Sequence, residues 1–305
     1  MDQGRFRVTV CRILAGIGSS SGLAGTVREK GKARLYMHTR SFGLVALALA
    51  LAAGPRFCYG YSLLTHEEVV DILWQDEIKP LLLRRYPSAT PIELREVHAY
   101  AYGGSLVQDM GYYPFGKNFF SNLAHGVRTG DFVMNLLRGA TNLDEYAFAL
   151  GALEHYTADN CGHPYINEAT AMYFPGLRVK YGESVTYEDS PTAHMETEFG
   201  FDVTQVAKQR YTSDSYHDFI GFEVAKPLLG RAFYATYGLP LEEGLGHVDF
   251  AVGTFRRAVS HVIPERTRAA WSAYHPELVR ERKDFQKKLF LYHLARAEYE
   301  KEWGR

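Results

Sequence analysis

Helix-start signals followed by apolar residues at helical spacing limit this chain's folds more than any other feature. Thr65-His-Glu-Glu68 reads as a capping box, with Thr as N-cap and Glu three residues on. It opens Val69, Val70, Ile72 and Leu73, which share one helical face. Thr90-Pro91-Ile-Glu93 is a second start with proline at the first helical position, and Asn142-Leu-Asp-Glu145 is a third. Amphipathic segments are also expected over about 118–139, 190–209, 215–237, 246–262 and 276–302. Leu177–Val185 is the sole strand candidate. Gly103-Gly104 and Gly111–Gly116 are expected to interrupt helices, the latter as a shaped loop. With no repeat or linker after residue 60, the expectation is all-α: a single multi-helix domain.

The first 60 residues have a different character. They carry nine Lys/Arg and two acids, a net charge of +7. Ser41–Pro55 is uncharged and apolar, follows Arg40, and leads to small residues at Cys58 and Gly60. A basic segment, a short apolar run and a small-x-small exit describe a signal peptide, and the run is too short to span a bilayer. The division expected is therefore 1–36 as an upstream extension outside the working protein, 37–60 as the signal peptide and 61–305 as the helical domain. Cleavage after Gly60 makes the protein secreted or periplasmic. It also leaves Cys161 as the remaining cysteine, so no internal disulfide is expected. The whole-chain charge of −1 then splits: the part from Tyr61 onward has 25 basic and 33 acidic residues, or −8. Binding nucleic acid by bulk positive charge is excluded.

Twelve histidines are the other unusual count. In HYTADNCGH, His155 and Asp159 are four apart and share a helix face, so both can grip one ion. His163 lies about 12 Å along the axis from His155 in a straight helix and should serve a different ion, with Asp159 between. His194 and Glu198 repeat the four-residue spacing. Imidazole with carboxylate suits zinc, and without thiolates a Cys-rich structural site is excluded. Each pair alone also fits an ordinary surface contact. His66 beside a cap and His125 near Phe119, Phe120 and Leu123 add weight to the metal reading. His98, near Tyr100 and Tyr102, is read as a hydrogen-bonded core histidine or as support for a ligand. His217-Asp218 resembles the dyad of HD-type phosphohydrolases, a rival reading that the leader argues against.

In order and type these motifs resemble the zinc-dependent phospholipase C / P1-type nuclease superfamily, and in particular the bacterial zinc-dependent phospholipase C proteins. The resemblance covers Tyr61 to about Val206. It implies a helical, secreted enzyme holding three zinc ions. Asp109, His125, His155 and Asp159 would hold the first ion, and His163, His194 and Glu198 the second. His66, the shared Asp159 and the α-amino and carbonyl groups of Tyr61 would hold the third. Asp109 would orient or deprotonate the attacking water. The start is Tyr here rather than the family's Trp. The Asp159-to-His163 interval is also shorter than in either branch, so either the ions are spaced differently or Gly162-His163-Pro164 breaks the helix.

The function implied is phosphodiester hydrolysis of phospholipase C type, cleaving phospholipid headgroup phosphoesters at a transient membrane-surface contact. Tyr112, Tyr113 and Phe115 either surround the headgroup or serve as packing. A P1/S1-type single-strand nuclease, acting on nucleic acid, is the alternative. A non-catalytic zinc-binding periplasmic protein is the second alternative. No obligate protein partner is expected.

Overall fold

Thr90 starts a helix for a local reason. Its hydroxyl accepts the Glu93 N–H while the Glu93 carboxylate accepts the Thr90 N–H at 2.7 Å, and Pro91 supplies a preset φ. Asn142 likewise accepts the Glu145 N–H at 2.9 Å. In the computed structural model, Cys11 and residues 63–113, 115–207 and 222–257 are described. The elements are α1 (Leu63–Leu73), a π-helical turn (Trp74–Ile78), α2 (Lys79–Arg85), α3 (Pro91–Leu106) and a 3₁₀ turn (Val107–Tyr112). Then come α4 (Asn118–Gly126), α5 (Thr129–Gly139), α6 (Leu143–Tyr173), α7 (Pro175–Tyr181) and α8 (Pro191–Ala207). After residues outside the described set follow α9 (Lys226–Tyr237), α10 (Leu241–Leu245) and α11 (Val248–Arg257). Among the described residues there is no strand, as an all-α protein requires.

The centre is the pair α3 and α6, which touch backbone to backbone. A Cβ on Gly104 would lie 1.9 Å from the Phe148 carbonyl oxygen, and one on Gly151 would lie 1.9 Å from that of Ala101. Only glycine permits this approach. Around the pair, Phe120 of α4, Phe132 of α5 and Phe233 of α9 pack together, with Phe120 and Phe233 stacked at 5.5 Å. The segment after residue 210, beyond the reach of the family resemblance, thus contributes α9–α11 to the same core. The backbone N–H of Glu223 also bonds the Ala99 carbonyl at 2.9 Å.

Several expectations need correction. Leu177–Val185 is not a strand; α7 covers its first part, and the Val185 N–H bonds the Asn167 carbonyl of α6. Thr65 is inside α1 rather than at its N-cap. Its hydroxyl donates to Asp202 of α8, and the same carboxylate accepts the Leu64 N–H at 3.1 Å, so a distant acid satisfies the start of α1. Gly103 and Gly104 lie within α3, where they permit packing rather than a break. The 118–139 segment is two helices, divided at Arg128 with φ 54°.

Pro164 does not end α6, although it cannot donate to the Asn160 carbonyl. Ala158, Gly162, Ile166 and Thr170 recur every four residues and are all buried, so continuous packing carries the helix through. Of the 215–237 and 246–262 segments, the described helical parts are Lys226–Tyr237 and Val248–Arg257. The 276–302 segment lies outside the described residues. So do the extension, the signal peptide and Tyr61, apart from Cys11. Cys161 is disulfide-bonded to Cys11 in the full chain, whereas the absence of an internal disulfide was expected of the cleaved chain. Cys11 belongs to the segment read as an upstream extension, and a chain beginning at Tyr61 lacks this partner.

Candidate metal centre

His155 and Asp159 lie on successive turns of α6, with Nε2 of the former 3.1 Å from Oδ2 of the latter. The 3₁₀ turn brings Asp109 to this face and α4 brings His125. His125 Nε2 is 3.3 Å from Asp109 Oδ1, 3.1 Å from His155 Nε2 and 3.5 Å from Asp159 Oδ2. Two imidazole nitrogens so close, beside two carboxylates, form a set of ligand atoms aimed at one point.

The opposite ring nitrogens explain the aim. His125 Nδ1 is 2.7 Å from the Ser121 carbonyl oxygen, and His155 Nδ1 is 2.7 Å from that of Ser105. An Nδ1–H donated to a backbone carbonyl leaves Nε2 as the lone-pair atom facing the centre. Ser121 does a second task, since its hydroxyl accepts the Gly111 N–H at 2.9 Å and ties the Asp109 turn to α4.

Asp159 presents its other oxygen to two further histidines. Oδ1 is 3.5 Å from His66 Nε2 and 3.5 Å from His163 Nε2. His66, stacked on His155 at 4.1 Å, joins His155 and Asp159 as a second ligand group. His163, His194 and Glu198 form a third, with His194 Nε2 2.9 Å from Glu198 Oε1. The structure therefore brings together His66, Asp109, His125, His155, Asp159, His163, His194 and Glu198 in three adjoining groups. Tyr61 lies outside the described residues.

These residues fit a metal by an independent criterion. Asp109 Oδ2, Asp159 Oδ1 and both ring nitrogens of His194 are buried without a hydrogen-bond partner at the atom. Buried polar atoms left in this state are rare unless something else engages them. Borderline nitrogen donors mixed with carboxylate oxygens suit zinc.

The charges are arranged to match. Burial alone would raise the Asp159 carboxyl, yet His155 and His163 outweigh it and hold it well below the usual range. Burial opposes charge on His163, but Asp159 and Glu198 prevail and lift it to about 9. Metal-free His163 is thus protonated at pH 7.5, whereas zinc requires the neutral ring. We expect zinc titrated into the metal-free protein at pH 7.5 to release protons, read with an indicator dye in weak buffer. The metal-free fold should gain from this group fully below about pH 6.5 and lose the gain as pH rises through about 9. A flat unfolding temperature across that window would refute the assignment.

Other residues the sequence reading missed complete the site. Glu154, fully buried, places Oε1 3.4 Å from His66 Nδ1, in the position that carbonyls occupy at the other two rings. Its signal was available: a glutamate directly after the apolar stretch ALGAL and directly before His155. His98 is half-buried, with Nε2 2.8 Å from Asp71 Oδ1 and its ring stacked on Trp74 at 3.8 Å. His217, Asp218, His261, His275 and His293 lie outside the described residues.

Beside the metal ligands opens a cleft of about 560 Å³. Tyr112, Tyr156 and Tyr187 line it, and none of its described lining residues is Lys or Arg. Tyr187 is held near Tyr112 at 5.9 Å by a turn in which the Asp189 carboxylate accepts the Thr186 N–H. Tyr113 instead packs edge-on against Phe255, and Phe115 is exposed against Phe250. Of the loop aromatics, Tyr112 alone faces the cleft.

The sequence model of the family described as zinc-dependent phospholipase C matches residues 65–245, and the chain belongs to that family. It is a zinc-dependent phosphodiester hydrolase of phospholipase C type. No curated protein and no solved structure matches it.

Proposed function

We propose that this protein is secreted after removal of residues 37–60 and hydrolyses the headgroup phosphoester of phospholipids at a trinuclear zinc site. The observation that carries the substrate class is the cleft wall. Tyrosines stand beside Asp109, Asp159, Glu188 and Glu198, with no described Lys or Arg. A single-stranded nucleic acid presents a row of phosphates and needs a positive groove. A zwitterionic headgroup presents one phosphate for the metals and one cation for tyrosine faces and carboxylates.

His125, His155, Asp109 and Asp159 would hold one ion, His163, His194 and Glu198 a second, and His66 with Asp159 a third. The α-amine and carbonyl of Tyr61 would complete the third. Tyr61 precedes by three residues Leu64, whose N–H is bonded to Asp202 one turn beyond Glu198. Zinc, when bound, supplies Lewis acidity that neutralises phosphate charge and acidifies water. Asp109 Oδ1 faces His125, while Oδ2 is buried with no protein partner and is free to take the proton of the attacking water. The water oxygen bonds to phosphorus, the bond to the diacylglycerol oxygen breaks, and that oxygen leaves with a proton. Secretion is supported by the leader, and no described helix is long and apolar enough to cross a membrane.

The test sets phosphatidylcholine vesicles against single-stranded DNA, with the zinc-loaded secreted protein and its Asp109→Asn variant. We expect phosphocholine release from the vesicles, reduced about 10²–10⁴-fold by the substitution. DNA hydrolysis without lipid turnover would establish the nuclease reading. Turnover of neither, with zinc bound, would establish a non-catalytic protein.

A further inference from the structure

Gln108 is wholly buried in the cleft wall, yet neither its Nε2 nor its Oε1 has a hydrogen-bond partner in the protein. Asp109 Oδ2 and Asp159 Oδ1, in the same condition beside the cleft, belong to residues that metal ions would engage. Gln108 differs, because a neutral amide is not among the donors that hold zinc. A buried amide with both ends unpaired weakens the resting fold. A polar group that enters the cleft would complete it.

Its placement says what. Gln108 directly precedes Asp109 in the Val107–Tyr112 turn, and that turn is fixed by the Ser121 hydroxyl on Gly111 N–H. The amide is therefore held in register with the carboxylate facing the attacking water. An amide nitrogen carries two N–H donors, which match phosphoryl oxygens. The described cleft lining supplies no Lys or Arg for those oxygens.

We propose that Gln108 Nε2 donates a hydrogen bond to a non-bridging phosphoryl oxygen of the bound ester, making Gln108 a substrate-binding residue. It is the neutral counterpart of the cation the cleft lacks. The bond strengthens as charge builds on that oxygen during attack, so it favours the transition state over the ground state. The inference rests on the reading of this cleft as the phosphoester site.

The test compares the zinc-loaded secreted protein with Gln108→Met, which keeps the volume and removes the donors. Zinc content, unfolding temperature, affinity for inorganic phosphate by calorimetry, and kcat/KM on phosphatidylcholine vesicles are measured together. We expect unchanged zinc, an unfolding temperature equal or higher, phosphate affinity weakened about tenfold, and kcat/KM lowered about 10²–10³-fold. A lower unfolding temperature with unchanged phosphate affinity would make Gln108 a packing residue and overturn the proposal. Lost zinc would show that it acts through the metals, which also overturns it. If the unsubstituted protein binds phosphate but cleaves no lipid, the substrate reading fails, and the phosphate titration alone decides on Gln108.

Discussion

Asp159→Ala is expected to abolish activity, by more than about 10³-fold, and to remove at least one zinc ion from the purified protein. The reason is geometric. Its Oδ2 faces His155 and His125, and its Oδ1 faces His66 and His163. Among the described residues, no other carboxylate in the site touches ligands of all three groups. Truncation also removes the negative oxygen that His66 and His163 share, while Glu154 stays buried beside His66 and Glu198 beside His163. Elemental analysis alongside a phosphodiesterase assay reads both effects. Retained zinc stoichiometry with activity within tenfold of the parent would refute the bridging role.

The second large effect lies outside the ligands. Gly151→Ala would place a Cβ 1.9 Å from the Ala101 carbonyl oxygen and 2.8 Å from the Ser105 nitrogen. Backbone cannot yield as a side chain does, so α3 and α6 must separate. A cost of about 3 kcal/mol or more follows, or about 10 °C in unfolding temperature for a domain of this size. The site should suffer with the fold, because the Ser105 carbonyl that orients His155 sits at this contact. Gly253→Ala is the control: its Cβ meets nothing within 4 Å, it lies in α11, and the change should be neutral or slightly stabilising. Equal unfolding temperatures for the two variants would show that the α3–α6 contact does not hold the site.

The correspondence between sequence and structure follows the range of each interaction. The Thr90 capping box and the Asn142 start involve atoms three residues apart, and both were legible. So were the pairs His155/Asp159 and His194/Glu198, because a helix places residues four apart on one face whatever surrounds it. Thr65 misled because the same local signal was overridden by Asp202, which arrives from another helix. The break at Pro164, one of two readings left open, does not occur, for the opposite reason. Its local cost is outweighed by a buried stripe whose partners the sequence does not name.

By itself, then, the sequence determined the helical class, the acidic character beyond residue 60 and the identity of the metal-seeking side chains. Those depend on composition and on spacing within one helix. Tertiary structure decided that Asp109, His125 and His155 meet, that Glu154 stands behind His66, and that Gln108 is buried unpaired in the cleft wall. Each of these needs separate helices brought to a few ångströms, and glycine contacts together with the Ser105 carbonyl, distant in sequence from His155, set that approach.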